Sequence, residues 1–127
     1  MLRRSVALRG ARKVGLIAEN ADRSLRFDPA SGALQAVGDI TMASANQWVR
    51  LFERALGALG SDRPQTTLAV DLTGVAHCDS AVMAVVAQWD VIAQAQGLAL
   101  TTRNAPAGLR AIARLCEAGD AWGLDGR

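Results

Sequence analysis

The chain has 127 residues, half of them hydrophobic, which excludes a largely disordered protein and predicts one domain with its own core. The net charge of +2 is uneven: residues 1–23 hold six basic residues against two acids, and residues 24–127 hold eight against ten. The larger part is therefore not a basic nucleic-acid-binding domain. Two cysteines, Cys78 and Cys116, lie far apart outside any CxxC motif, which excludes a disulfide-rich secreted scaffold and favours a reduced, cytoplasmic setting.

Residues 1–23 are expected to form a basic tail, and residues 24–127 the domain. Basic and apolar residues alternate in the tail without a clean period, which indicates a flexible arm. A weak membrane-surface anchor is the alternative. The only apolar run, Val14 to Ala18, is too short for a secretory signal, and nowhere does a run approach the roughly 18 residues of a membrane-spanning helix.

The domain is expected to open with two strands and a helix. Leu25 to Asp28 alternates as a strand does, residues 29–32 form a turn, and Ala33 to Val37 follows as an antiparallel partner. Ser44 and Gln47 have the spacing of a capping box at the start of a helix that runs to about Leu59. Residues at helical spacing predict its buried stripe: Trp48, Phe52, Ala55, Leu56 and Leu59.

The stretch from Thr67 to Gln96 is the most informative part of the sequence. A short apolar run from Leu68 to Leu72, closed by a turn at Gly74, predicts a buried strand. Asp79 and Ser80 are both expected to cap a long helix that ends at Gly97, because their side-chain oxygens can accept from free N–H groups in a first turn. Helical periodicity predicts its buried face: Val82, Val85, Val86, Trp89 and Ala93.

The opposite face of this helix is small and nearly uncharged near Ser80. It carries Ser80, Met83, Ala84, Ala87, Val91 and Ala95, with Gln88, Asp90 and Gln94 beside them. Two interpretations stay open. A neighbouring element covers this face, or the face is a docking surface for another protein.

The remaining elements complete an α/β domain. Leu98 to Thr102 predicts a strand, and Pro106 starts a last helix. Residues 121–124 are expected to fold back over the sheet edge. The stripe predicted to be buried in the last helix is Leu109, Ile112, Ala113 and Cys116. The order β-β-α-β-α-β-α contains two β-α-β crossovers, and it predicts a mixed four- to five-stranded sheet with helices packed on it.

Candidate catalytic and metal-binding residues are few. His77 and Cys78 are a conceivable nucleophile pair, but adjacent loop residues usually point apart and no third orienting group is evident. One histidine and two scattered cysteines are not a zinc site. Asp71 and Asp79 are explained more simply by loop and cap hydrogen bonds than by acid–base catalysis, and no P-loop or GxGxxG motif occurs. The sequence predicts no catalytic residue, metal or cofactor.

Two motifs resemble those of STAS domains. Val70-Asp71-Leu72-Thr73-Gly74-Val75, followed by Cys78-Asp79-Ser80-Ala81, is similar to that family's strand, its Asp-Leu-Ser/Thr-Gly-Val turn and its Asp-Ser/Thr helix start. The segment from Asn104 to Leu115 resembles the family's last helix. The resemblance extends from about Ser24 to Leu124 and implies a single STAS-like α/β domain.

The resemblance implies one of two binding functions, neither of them enzymatic. The segment from Asn104 to Leu115 looks more like the small cytoplasmic STAS subunit of the Mla phospholipid transporter, which binds the ATPase subunit of that ABC complex and meets the inner membrane only through it. The alternative is an anti-sigma factor antagonist whose partner kinase phosphorylates Ser80. Val82 stands where the family often has Gly, which favours simple docking over kinase recognition. The expected partner-binding residues are Asp79, Ser80, Met83, Ala84 and Ala87.

Overall fold

A computed structural model of the chain describes residues 17–20, 22–59, 66–116 and 121–124. These ranges contain five strands, three α-helices and a short 3-10 turn. The strands are β1 (Ile17–Asn20), β2 (Arg23–Asp28), β3 (Ala33–Val37), β4 (Thr67–Gly74) and β5 (Ala99–Arg103). The helices are α1 (Ala45–Leu59), α2 (Ala81–Ala95) and α3 (Ala107–Leu115), and the 3-10 turn is Ala121–Gly123. Within these ranges, none of the helices has the length and apolar character needed to cross a membrane.

The strands form one mixed sheet in the order β1-β2-β3-β4-β5. β1 and β3 pair antiparallel with β2, whereas β4 pairs parallel with both β3 and β5. This arrangement confirms the expected α/β architecture with its mixed sheet and its order of elements.

One strand was missed. β1 lies inside the segment expected to be a tail, so the sheet begins before Ser24, and residues 1–16 lie outside the described part. Four residues are too short to show a reliable alternation, and β1 is defined by its pairing with β2 rather than by its own pattern.

A single core lies between one face of the sheet and the three helices. Strand residues that point into it are register partners, such as Leu25 with Ala36 and Leu34 with Val70. The other face carries a row of exposed or half-buried polar side chains that are also in register: Arg26, Gln35, Asp71 and Arg103. All three described helices contribute to the same core, on the face of the sheet opposite this polar row.

Three aromatic side chains join α1 to α2 at the centre of this core. Trp48, Phe52 and Trp89 are fully buried. Phe52 stacks on Trp89 with ring centroids 5.3 Å apart, and Trp48 meets Trp89 edge-on at 6.2 Å. The indole N–H of Trp89 donates to the carbonyl oxygen of Trp48 at 3.1 Å, so this buried donor is satisfied.

The expected buried faces of α1 and α2 are confirmed, and that of α3 is partly wrong. Leu51 is an additional buried residue of α1. In α3 only Leu109 and Ala113 are buried, Ile112 is half-buried, and Cys116 is exposed. The helix ends at Leu115, so Cys116 sits at its C-cap, beyond the last turn that the core stripe covers.

The expected cover of the β5 edge is present. The hydroxyl of Thr102 donates to the carbonyl oxygen of Trp122 at 2.8 Å, and Leu124 is fully buried. Gly123 has a φ of 74°, the left-handed conformation that glycine adopts readily, and this lets the chain turn back against the strand.

Candidate functional site

The candidate site lies where the loops that follow β3 and β4 meet. Ile40 and Cys78 form an isolated parallel bridge. The amide of Ile40 donates to the carbonyl of His77 at 3.0 Å, and the amide of Asp79 donates to the carbonyl of Ile40 at 3.2 Å. The sheet pairing therefore continues past both strands, and it brings residues 39–44 against the start of α2.

Gly74 makes this junction possible. A Cβ at this position would lie 2.7 Å from the carbonyl oxygen of Ala36 and 2.8 Å from a methyl carbon of Val37. Such distances are too short for a side chain at this position, because the nearest atom is a backbone oxygen. The Gly74 of the Asp-Leu-Thr-Gly-Val motif thus permits β3 and β4 to approach closely where their register shifts.

Asp79 connects the two loops through its carboxylate. One oxygen, Oδ1, accepts from the amide of Ala81 at 2.9 Å and so caps the first turn of α2. The other, Oδ2, accepts from the amide of Met42 at 3.1 Å. Asp79 is therefore the cap that the sequence predicted, and it also holds a loop 37 residues away in the chain.

Ser80 does not act as the second capping side chain that the sequence predicted. Its backbone is in the right-handed helical region, with φ −63° and ψ −17°, and its hydroxyl makes no cap hydrogen bond. The geometry of a capping side chain needs an extended backbone, which Ser80 lacks because the turn has already begun at Asp79. The hydroxyl is exposed to solvent and available to another molecule.

The amides at the start of α2 already have acceptors. Ala81 donates to the Asp79 carboxylate, Val82 donates to the Asp79 carbonyl at 3.0 Å, and Met83 donates to the Ser80 carbonyl at 3.2 Å. The positive end of the helix dipole faces the Asp79 carboxylate. An anion at Ser80 would meet that negative charge, with the first-turn donors already used.

The outward side of α2 forms the rest of the candidate site. Ala84 is exposed, Ala87 is half-buried, and Val91 is 62% exposed. Met83 is half-buried and packs against the core, so its side chain exposes less surface than the helical periodicity predicted. These residues do not belong to the buried face of α2. An uncharged strip therefore remains that no described element covers completely, formed by Ser80, Ala84, Ala87 and Val91. We call this strip the α2 strip.

Met42 lies beside the candidate site and was not predicted from the sequence. Its side chain is 74% exposed, and its backbone amide is fixed by Asp79 beside the start of α2. Met42 belongs to a loop without periodicity, and only the folded contact between two distant loops brings it here. No signal in the sequence identifies such a residue.

Asp71 belongs to a different cluster. Its Oδ1 accepts from the amide of Thr73 at 2.9 Å, the hydroxyl of Thr73 at 2.6 Å and the side-chain amide of Asn104 at 3.2 Å. Burial raises the pKa of Asp71, but these hydrogen bonds and the nearby Arg103 charge outweigh it and lower the pKa below its ordinary value. Asp71 is thus an ionised carboxylate that joins the ends of β4 and β5, and it shares no partner with Asp79.

The surroundings of Cys78 do not favour a nucleophilic thiolate. Burial raises the pKa of the Cys78 thiol, and the negative charge of Asp79 raises it further. The thiolate is the reactive form of cysteine, so both effects oppose reactivity. Within the described ranges, no three histidine, cysteine, aspartate or glutamate side chains are grouped as a metal site would require.

A comparison with protein-family models agrees with the geometry. None of the curated proteins matches the chain. A family model described as "Mlab, STAS domain" matches residues 24–124 and so includes β2 from its second residue, β3 to β5, all three helices and the candidate site. STAS domains typically mediate protein–protein interactions and are generally non-catalytic. The chain belongs to the STAS domain family and is of the MlaB-like type.

Proposed function

We propose that this protein is a non-catalytic STAS subunit that binds and regulates the ATPase subunit of an ABC-type phospholipid transporter of the Mla, or lipid-asymmetry, type. The MlaB-like family match supports the class of partner. The observation that carries the proposal is the α2 strip, which is partly exposed and uncharged and begins at Ser80, whose hydroxyl makes no cap hydrogen bond. In this proposal the protein is cytoplasmic and meets the inner membrane only through the transporter complex.

The α2 strip suits a protein partner for physical reasons. Its alanine side chains let a facing helix or loop approach closely, and covering them removes apolar surface from water without desolvating a charge. The hydroxyl of Ser80 adds one polar contact at the end of the strip. An interface of this kind needs no catalytic group and no cofactor.

The alternative function is that of an anti-sigma factor antagonist whose partner kinase phosphorylates Ser80. One observation favours it: the hydroxyl is exposed and makes no cap hydrogen bond. The Asp79 carboxylate opposes it, because a phosphate on Ser80 would add about −1.5 to −2 charges beside that group. We therefore place ATPase-subunit binding first.

The experiment that tests the proposal is a binding titration of the purified protein with the purified ATPase subunit. Ala87→Arg places a long charged side chain in the α2 strip, where a partner could not desolvate it without a penalty of several kcal/mol. We expect Ala87→Arg to abolish binding while circular dichroism and thermal unfolding stay close to wild type. The matched control is Ala58→Arg, which makes the same change at an exposed position of α1 and is expected to bind normally.

The other outcomes are informative. If Ala87→Arg unfolds, this side of α2 belongs to the core. If it folds and binds as wild type does, the docking surface lies elsewhere. The alternative function is correct under two conditions. The wild type does not bind the ATPase subunit, and a sigma-regulatory kinase with ATP phosphorylates the wild type but not Ser80→Ala.

A further inference from the structure

Met42 combines exposure with a fixed backbone. A methionine that is 74% exposed presents apolar surface to water, and a single residue of this kind on a protein surface is ordinary. Met42 differs because its backbone amide is bonded to Asp79, the residue that also caps α2. Its position relative to the start of the α2 strip is therefore set by the fold.

The rest of its loop is anchored on the other side. Ser44 is buried, and its hydroxyl oxygen accepts from the amide of Thr41 at 3.0 Å. The same hydroxyl lies 3.1 Å from the carbonyl oxygen of Asp39, which also accepts from the indole N–H of Trp48 at 2.8 Å. The loop is thus attached to a buried side chain of α1 at one end and to the cap of α2 at the other.

We propose that Met42 is a second contact residue for the ATPase subunit and that Asp79 is the positioning residue that holds it there. This inference rests on the proposed function. The inference requires the ATPase subunit to have an apolar pocket for Met42, next to the segment that contacts Ser80. The unbranched, flexible thioether of methionine adapts well to such a pocket. The docking surface then has two parts, the α2 strip and Met42, joined by the Asp79 carboxylate.

The test is a titration of purified full-length variants with the purified ATPase subunit. Met42→Glu is expected to weaken binding about tenfold or more, the scale of a residue at the centre of an interface. Met42→Leu is expected to stay within about twofold of wild type, because it keeps the apolar volume. The matched control is Leu115→Glu, which adds the same charge at an apolar residue that is 85% exposed at the end of α3, and it is expected to bind as wild type does.

A double-mutant cycle tests the role of Asp79. Asp79→Asn keeps an oxygen that can cap α2, but replaces the acceptor of the Met42 amide with an NH2 group. We expect Asp79→Asn to weaken binding in the wild-type background and to have little further effect in Met42→Ala, because one residue acts through the other. Thermal unfolding of each variant separates this effect from a loss of fold.

Each contrary result has a distinct meaning. If Met42→Glu binds normally while Ala87→Arg does not, Met42 is outside the interface and the proposed function stands. If Asp79→Asn weakens binding equally in both backgrounds, Asp79 does not act through Met42. If the wild type fails to bind the ATPase subunit, both proposals fail. If the wild-type protein instead forms a dimer, and Met42→Glu dissociates that dimer, the molecule that binds this surface is a second copy of the chain.

Discussion

At the scale of single residues, the two motif aspartates have different roles although both accept hydrogen bonds at strand–loop junctions. Asp79 joins the loop after β3 to the first turn of α2. Asp71 joins the end of β4 to Asn104, which has a φ of 57° and therefore a backbone conformation that asparagine tolerates better than most residues. One aspartate positions the candidate site, and the other holds the neighbouring strand end.

Asp71 gives a prediction for the pH dependence of stability. The pKa of Asp71 is lowered on folding, so its carboxylate binds a proton less readily in the folded state than in the unfolded chain. The contribution of Asp71 to the free energy of unfolding is therefore fully present above the ordinary pKa of 3.8. This contribution is lost as the pH falls below 3.8 through the folded-state pKa. We expect Asp71→Asn to be less stable than wild type at neutral pH and the difference to shrink in acid.

The measurement for Asp71 is urea unfolding at a series of pH values. The control is Glu53→Gln, which removes a carboxylate from the exposed side of α1. A difference between wild type and Asp71→Asn that stays constant down to the most acidic pH would contradict the role given to Asp71.

At this same scale, residue types could be predicted from the sequence better than hydrogen-bond partners. Ser44 lies at the start of α1 as expected, but its hydroxyl bonds to the preceding loop at Thr41 and Asp39 instead of forming a capping box. Asp79 and Ser80 were both expected to cap α2, whereas Asp79 alone supplies that bond. Local spacing cannot decide among competing acceptors that only the folded loops bring together.

At the scale of elements, periodicity predicted the buried faces well wherever a helix was long enough. The five expected buried residues of α2 are all buried, because fifteen residues give four turns of signal. The nine residues of α3 give only two and a half turns, so its periodicity is a weaker signal. Cys116 was therefore predicted to be buried, although it lies just after the end of the helix. β1 was missed for the same reason, since a four-residue edge strand depends on its partner.

The aromatic cluster between α1 and α2 gives a prediction for stability. Trp89→Ala removes the stacking partner of Phe52 and the edge contact of Trp48, and it leaves a large cavity. We expect the free energy of unfolding to fall by about 3–5 kcal/mol, measured by urea unfolding. Val91→Ala on the exposed side of the same helix is the control and is expected to change little. A small effect of Trp89→Ala would mean that the core does not centre on this cluster.

At the scale of the whole molecule, the domain divides its surfaces between stability and binding. Three helices cover one face of the sheet, and the turn at Trp122 covers the edge of β5. The loops after the parallel strands β3 and β4 converge on the start of α2, which places Met42 and Ser80 at the end of the molecule where the α2 strip begins. This end is where we expect a partner to bind.

The most direct test of a transporter ATPase as the partner compares what wild type and Ala87→Arg retain when each tagged protein is purified from its own cells. Mass spectrometry identifies the retained proteins. We predict that an ABC ATPase and its permease accompany the wild type and are absent from Ala87→Arg, while Ala58→Arg retains both. If a small histidine-kinase-like ATPase takes their place, or if Ala87→Arg retains the same transporter proteins as wild type, the assignment of the α2 strip to a transporter ATPase is contradicted.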